Sequence, residues 1–587
     1  MQLDSQALNF RSAAGQVASV SGPTVSVIGP LSLFRVTVGQ FLALNSNGLS
    51  LVGVVTKISL ETGHDNQNAE PSATAQLNLI GEFRSNEISI KHFRRGISTY
   101  PAIGDLVRPA TSEELGLVFN SSSNDSVSLG KLHQSDSLDA RVNVSDMLSK
   151  HFAVLGTTGV GKSSGVVVLL NQILSARKDL RIFLLDVHNE YGKCFGNLAQ
   201  TISPSNIKLP FWLFNFDEIV DIIFGGRPGF DEEVDLLSEV IPLAKAAYAQ
   251  YIGTADKLTN KIDVRNIRYT TDVPLPYRIV DLIALLDARM GKLENRSTRM
   301  TYHRLISRIE AACNDPRYSF MFENANVGGD TMEEVLSHLF RWPLNDTPIS
   351  VMQLAGFPSE IVDAVVSVIC RMAFDLGVWS DGANPLLIVC EEAHRYMSAD
   401  NRSSFGPTRR SISRIAKEGR KYNVSLGLVS QRPAELDATI LAQCSTLFVM
   451  RLTNDRDQEI LQSAVSDTSA GQLSFISSLG VSEVFAFGEG VSLPTRFVFS
   501  QLAAGQIPRS DMNAAGATVE QQASLASVIE RWRGLAASKS ERLNGGQATL
   551  VPASSPTRGL DPERYKLLKR SIDETSSNLV SAKPGAI

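Results

Sequence analysis

Cysteine is scarce in this chain: five in 587 residues, Cys194, Cys313, Cys370, Cys390 and Cys444. None forms a C-x-x-C pair, and no histidines sit at ligand spacing. A disulfide framework and a structural metal site are therefore not expected, and the thiols read as reduced core residues of a cytoplasmic protein. Long apolar runs are missing as well. No stretch reaches transmembrane length and no charged-then-apolar leader pattern opens the chain, so a membrane partner is not expected. Positive charge is not in excess: 56 Lys and Arg against 61 Asp and Glu leave a net charge of −5. That excludes a global basic field, while leaving room for a locally basic channel that holds nucleic acid. There is no internal repeat. The remaining composition, 43% hydrophobic and 20% charged, is that of a globular protein with roughly two to four domains and ample core.

Against this background one segment carries most of the information, Phe152-Ala-Val-Leu-Gly-Thr-Thr-Gly-Val-Gly-Lys-Ser-Ser164. It fits G-x-x-x-x-G-K-S directly after an apolar run, and it opens an apolar helix. Four fixed positions recur by chance only about 0.02 times in a chain of this length. Strand, loop and helix in that order make a phosphate cradle: loop N–H groups converge on phosphate oxygens and the helix N-terminus adds its positive dipole end. Candidate nucleotide-binding residues are Gly156, Thr157, Thr158, Gly159, Val160, Gly161, Lys162, Ser163 and Ser164. Lys162 is suited to the β- and γ-phosphates and the Ser163 hydroxyl to Mg²⁺. The implied cofactors are ATP and Mg²⁺.

Pattern changes divide the chain. Residues 1–115 contain short alternating runs rich in Val, Gly, Thr and Ser, which predict a small antiparallel β-barrel. Residues 116–150 read as a linker with few strong elements. From 151 to 510 short apolar strands alternate with helices, as in a parallel sheet covered on both faces. The strand candidates are Phe152–Leu155, Arg181–Leu185, Ile349–Leu354, Leu386–Cys390, Leu426–Val429 and Leu447–Arg451. A helical pattern over about 228–345 reads as an inserted subdomain, and Val484–Phe487 with Arg496–Phe499 as a terminal hairpin. Residues 511–587 are polar and rich in Ser, Gly and Pro, and read as a partly disordered tail with a short helix near 561–572.

Leu386-Leu-Ile-Val-Cys-Glu-Glu-Ala-His-Arg395 sets a carboxylate pair at the end of an apolar strand, where α/β folds bind ligands. ATP hydrolysis needs one carboxylate near the metal and one to polarise the attacking water. Glu391 suits the first role, together with Ser163, and Glu392 the second. Asp186, His188 and Glu190 follow the second strand. A carboxylate there would face the nucleotide edge of the sheet; a loop-capping aspartate explains Asp186 equally well. Gln431, in Ser430-Gln-Arg-Pro433, is placed to hydrogen-bond the γ-phosphate or the lytic water; a turn closed by Pro433 accounts for the same residues. Arg402, Arg409, Arg410, Arg414, Lys417, Arg420 and Lys421 form a basic run. Two roles compete there with a merely solvated face: Arg420 as an arginine finger on a neighbour's γ-phosphate, and the loop cations on a DNA backbone. A second basic stretch, Arg289 to Arg308, reads as surface.

The order of these motifs resembles the HerA family of hexameric DNA translocases, within the HerA/FtsK superfamily. The resemblance rests on Gly15-Gln-Val-Ala-Ser-Val-Ser-Gly22, Gly156 to Ser163, Asp186-Val-His-Asn-Glu-Tyr191, Glu391-Glu-Ala-His394, Lys417-Glu-Gly-Arg-Lys-Tyr-Asn-Val424 and Ser430-Gln-Arg-Pro433. It covers roughly residues 10–510. It implies a RecA-like P-loop ATPase core of α/β class, an N-terminal antiparallel β-barrel, an inserted helical subdomain, and a homo-hexameric ring that pumps duplex DNA. It also implies a partner, a nuclease in DNA end processing or, in antiphage defence, a nuclease or NAD-cleaving effector. The family's roles fall on Lys162, Ser163, Glu392 and Arg420. Members often carry a further trans-acting arginine before the P-loop strand; this chain has Lys150 there, which lacks the planar guanidinium fork. Two rival readings are an ATP-switched scaffold that assembles an effector and a conjugation or secretion ATPase at a membrane.

Overall fold

The structure, a computed structural model, describes residues 15–509 apart from 32–34, 47–48, 62–71, 86–90, 120–124, 134, 226–228, 257–268, 293–294, 324, 344–345, 356, 358, 399–405 and 465–472. The tail expected over 511–587, the helix expected near 561–572 and Arg402 lie outside the described residues. The chain divides into two compact units, one running to Pro204 and resuming at Met332, the other Ser205–Thr331.

The first unit opens with β1 (Gly15–Ser21), β2 (Thr24–Pro30), β3 (Phe41–Ser46), β4 (Leu49–Glu61), β5 (Ser72–Ser85), β6 (Lys91–Arg95) and β7 (Leu106–Pro109). They run in the order β2-β1-β7-β3-β4-β5-β6, and a further β2–β5 pairing closes six of them into an antiparallel barrel. Closure removes the free strand edges that an open sheet would expose. Alternation drives it: in β2 the buried residues Val25 and Val27 alternate with half-buried ones, and Leu42, Leu44, Leu51, Val55, Ala75 and Leu77 fill the interior.

An eleven-stranded sheet follows. Its parallel part consists of β10 (His151–Leu155), β11 (Arg181–Asp186), β12 (Ala199–Ile202), β13 (Ile349–Gln353), β14 (Leu386–Cys390), β15 (Val424–Ser430) and β16 (Cys444–Val449). The order is β12-β13-β11-β14-β15-β10-β16. Every residue of β10, β11, β14 and β15 is buried, which explains why they read as apolar runs rather than alternating ones. The P-loop strand β10 sits between β15 and β16, with Leu155 opposite Ser430 on one side and Val449 on the other. Helix α1 (Lys162–Ala176) follows the loop and buries Val166 to Leu170 and Ile173.

Beyond β16 the sheet turns antiparallel through β17 (Glu483–Gly488) and β18 (Thr495–Phe499), the expected hairpin. It then continues into β8 (Ser126–Leu132) and β9 (Ser135–Asn143). The segment 116–150 is thus no linker but the edge hairpin of the main sheet. Serine interleaving hid it: Val127, Leu129 and Leu132 are buried in the core while Ser128 and Lys131 face outward. Gly130 is required there, because a Cβ would sit 1.9 Å from the Val498 carbonyl oxygen of β18. Arg95 of β6 donates to the Ser492 carbonyl at 2.5 Å and the Gly488 carbonyl at 3.1 Å, tying the barrel to this sheet.

The second unit is helical, with α2 (Phe216–Phe224), α3 (Asp231–Asp256), α4 (Ile279–Met290) and α5 (Arg296–Asn314). Asn215 and Glu218 form a reciprocal capping box at the start of α2, satisfying two amides that would otherwise be orphaned. The insertion ends earlier than the 345 read from the sequence. The helix Met332–Phe340 belongs to the first unit, where Phe340 packs on Phe183 of β11 with ring centroids 5.7 Å apart. Its helical periodicity matched the insertion, so pattern alone could not separate them.

Candidate active site

Four adjacent strands, β10, β15, β14 and β11, end on one edge of the sheet, and each delivers part of a single cluster there. From β10 comes the loop Gly156–Gly161. Gly161 has φ 95° and Gly159 φ 78°, a left-handed backbone that a Cβ would strain. The loop is anchored on both sides: the Gly156 amide donates to the Ser430 carbonyl at 3.2 Å, and the Thr157 amide to the Arg451 carbonyl at 3.0 Å. Lys162 Nζ folds back to the Thr157 carbonyl at 2.9 Å. Burial lowers its ammonium below the ordinary lysine value, while Glu392, Glu391 and Glu190 act the other way.

From β14 come Glu391 and Glu392, both 4% exposed. Burial pushes the Glu391 carboxyl well above its ordinary value, reinforced by Asp186, Glu190 and Glu392. Its Oε2 accepts from the Val187 amide at 3.2 Å. Glu392 has φ 48° and ψ 47°, a conformation costing roughly 1–2 kcal/mol outside glycine. Such strain gathers where a side chain must be aimed. Glu392 Oε1 accepts from Gln431 Nε2, and Gln431 Oε1 accepts from the Thr158 hydroxyl. Gln431, just past β15, therefore bridges the P-loop and the second carboxylate. His394 Nδ1 lies 3.2 Å and His188 Nε2 3.7 Å from Glu392. The Glu392 Oε2 atom has no hydrogen-bond partner among the described residues, and burial lowers the His394 pKa below the ordinary histidine value, which favours the neutral ring.

From β11 comes Asp186, fully buried, its carboxyl raised by burial and opposed by the amides of Tyr191 and Glu190 that it accepts at 2.9 and 3.0 Å. It is a loop cap, and the loop it shapes presents Glu190, whose Oε2 accepts from the Ser163 hydroxyl at 3.1 Å. Glu190 touches Ser163 directly, whereas Glu391 contacts the Val187 amide. Thr158 was expected in the cradle and Glu190 near its edge, but not their contacts with Gln431 and Ser163, and His394 had no expected role; the Glu-x-His spacing of 392 and 394 across a short 3₁₀ turn was its one available signal. Among the described residues no three His, Cys, Asp or Glu side chains are arranged to hold a metal alone. The Ser163 hydroxyl on the half-buried Glu190 carboxylate fits Mg²⁺, which keeps waters and takes its remaining ligands from bound phosphates.

Arg420 is not part of this cluster. It sits in the turn Gly419–Tyr422 that enters β15, exposed and with no ion pair among the described residues. The seven residues of β15 span roughly 20 Å at about 3.3 Å each, so Arg420 and Gln431 occupy opposite sheet edges. Within helix α7 (Gly406–Glu418) Arg409 pairs with Asp437 at 2.6 Å. Arg414 pairs with Asp375 at 3.4 Å and stacks 4.2 Å above Phe374. Both are held within the chain; Lys417 and Lys421 are exposed. Lys150, before β10, pairs with Glu489 at 2.6 Å.

A P-loop between parallel strands, with carboxylates and a bridging glutamine on the neighbouring strand ends, defines a P-loop ATPase. The family model described as the central domain of helicase HerA matches residues 127–373. The DNA double-strand break repair helicase HerA of Sulfolobus acidocaldarius is 24% identical over 498 residues, 82% of this chain and 91% of that protein. The HerA of Pyrococcus furiosus is 24% identical over 474 residues, covering 73% and 77%. A probable helicase of Methanocaldococcus jannaschii is 27% identical over 407 residues, covering 67% and 70%. The solved VirB4 of Thermoanaerobacter pseudethanolicus aligns with TM-score 0.42 at 16% identity, over 66% of this chain and 98% of that one, a likeness too slight to carry weight. By these matches the chain is similar to the HerA helicases over most of its length.

Proposed function

We propose that the chain works as a homo-hexameric ring in which each ATP lies between two subunits and its hydrolysis moves duplex DNA, in concert with a nuclease or NAD-cleaving effector. The observation that carries this reading is the split of the machinery: a connected hydrolytic set at one end of β15 and, at the other, an exposed Arg420 with no ion pair among the described residues. One subunit cannot bring both to one phosphate, and a ring of copies can. In the composite site Lys162 leaves the Thr157 carbonyl for the β- and γ-phosphates. Ser163, with Glu391 and Glu190 beside it, would hold a Mg²⁺ that neutralises charge on the phosphates. Glu392 accepts the proton of the attacking water as its oxygen bonds to the γ-phosphorus and the bond to ADP breaks. Gln431 holds Glu392 and Thr158 in register, and Arg420 from the neighbour meets the charge that builds on the γ-phosphoryl oxygens.

The DNA part of the reading is supported by the relatives named as repair helicases and by the exposed cations Lys417 and Lys421. The test is ATP turnover by the purified chain with and without duplex DNA across a salt series. Turnover should rise with DNA, and the DNA affinity should fall steeply with log salt, by about 0.9 per phosphate neutralised, because the contacts are to backbone rather than bases. No stimulation by any DNA form, with the partner effector present, would defeat the translocase reading in favour of an ATP-switched scaffold.

A further inference from the structure

Trp379 is the last residue of helix α6 (Ser359–Trp379) and is 87% exposed, more than any other large apolar side chain among the described residues. A single exposed hydrophobic residue needs no explanation; its surroundings here supply one. The turn after α6 is locked: the Ser380 amide donates to Leu376 at 3.0 Å, the Gly382 amide to Gly377 at 2.9 Å, and Asn423 Nδ2 to the Gly382 carbonyl at 2.7 Å. Phe374 meets Tyr422 edge-to-face with centroids 5.7 Å apart. Gly377 allows this approach, since a Cβ there would stand 2.5 Å from Val424 Cγ2 and 3.0 Å from the Tyr422 carbonyl oxygen. Trp379 is therefore presented on a rigid platform that also carries Arg420, on the same sheet edge. Tryptophan and arginine, carried here by one platform, are residue types enriched in interface hot spots, and a pre-ordered aromatic loses little freedom on binding.

The opposite edge has a matching feature. The Ser482 amide donates to the Val160 carbonyl of the P-loop at 2.8 Å. Ser482 has a left-handed φ of 61°, and its neighbour Val481 is 63% exposed. An apolar side chain thus stands in water beside the nucleotide cradle, at the edge Arg420 must reach in a neighbour.

We infer that Trp379 of one copy packs against Val481 of the next, fixing the distance at which Arg420 is delivered to the nucleotide. This rests on the ring reading above and adds the anchor that sets it. The experiment is the assembly midpoint of the full-length chain with Mg²⁺ and a non-hydrolysable ATP analogue, followed by light scattering, for wild type, Trp379→Ala, Val481→Ala and the double variant. Each single variant should raise the midpoint at least about tenfold, and the double should be no worse than the stronger single, since both remove one contact. Circular dichroism melts should coincide, because neither side chain is buried in the protomer. In parallel, acrylamide quenching of wild type minus Trp379→Phe isolates the Trp379 emission, which should be shielded and blue-shifted on assembly. An unchanged midpoint for Trp379→Ala, additive effects of the two substitutions, or a Trp379 signal equally quenched in both states would each overturn the pairing while leaving the ring intact. A wild-type chain that hydrolyses ATP fully as a monomer would defeat the ring reading and this inference together.

Discussion

Whether Arg420 serves its own nucleotide or a neighbour's can be decided by mixing two dead proteins. Arg420→Ala leaves the P-loop and both carboxylates untouched, and because the side chain is exposed and makes no ion pair among the described residues, the fold should survive. An arginine finger contributes on the order of 10³–10⁵ in rate, about 4–7 kcal/mol of transition-state stabilisation, so this variant should be almost inactive. Lys162→Ala should be inactive for a different reason, the loss of the phosphate-directed charge. Roughly 20 Å of β15 separates the two functions within one chain, too far for a side chain to bridge. In a mixed ring an interface works when the subunit holding ATP has Lys162 and the one facing it has Arg420. At equal amounts half the subunits satisfy each condition, so roughly a quarter of interfaces are complete. ATP turnover in the mixture should rise from background to about that fraction of wild type and peak at equal proportions. Background activity at every proportion, with subunit exchange shown by labelled chains, would refute the trans assignment.

Glu392→Gln should bind ATP and trap it unhydrolysed, with Gln431 still hydrogen-bonded to the new amide, whereas Lys162→Ala should lose binding as well; equilibrium nucleotide binding beside steady-state phosphate release separates the two. His151 should make stability pH-dependent. It is 2% exposed, its Nε2–H donates to the Ala416 carbonyl at 2.9 Å and its Nδ1 accepts from the Leu426 amide at 3.0 Å. Burial lowers its pKa below the ordinary histidine value. On acidification the unfolded chain therefore takes up the proton first, so this contribution is complete above about pH 6.5 and lost as the pH falls through the window below it. His151→Ala should cost about 2–4 kcal/mol at pH 7.5, leaving a carbonyl and an amide unpaired, and in urea titrations the gap to wild type should narrow at pH 5. A gap that widens on acidification would show that the buried ring is charged.

Much of the fold was legible because its strands announce themselves. Runs such as Leu386–Val389 and Phe152–Leu155 are apolar on both faces, as only a covered parallel sheet requires, and the P-loop fixed which strand carries the phosphates. The hairpin β8–β9 was missed because its inward positions are separated by serine and glycine, and Gly130 is there for close contact with β18. The site was legible at its fixed motifs and opaque where tertiary geometry chose among like residues. Asp186 and Glu190 are both acids at the end of β11 or just past it; only the fold shows that one caps the loop and the other touches Ser163. In the basic run the count of cations said nothing of allegiance: Asp437 holds Arg409 and Asp375 holds Arg414, each acid supplied by a distant element. Arg420 differs from them in having no such partner among the described residues, a fact invisible in the spacing.

The two ends of β15 belong, in the proposed ring, to two different nucleotides. Its first residues follow Arg420, which faces one ATP; its last residue precedes Gln431, which holds Glu392 at another. The strand between is buried along its whole length and hydrogen-bonded on both sides to β14 and β10, and His151 of β10 fastens its entry through the Leu426 amide and the Ala416 carbonyl of α7. Such an element does not stretch; it can only shift as a unit. A displacement of Gln431 when the γ-phosphate leaves one site is therefore carried to Arg420 at the next, and hydrolysis around the ring becomes ordered without any flexible relay. On this argument His151 is where the transmission is set, and loosening it should uncouple neighbouring sites before it unfolds the chain: a His151→Gln ring should retain turnover per site while losing the dependence of that turnover on the state of its neighbours, read as a lower Hill coefficient for ATP.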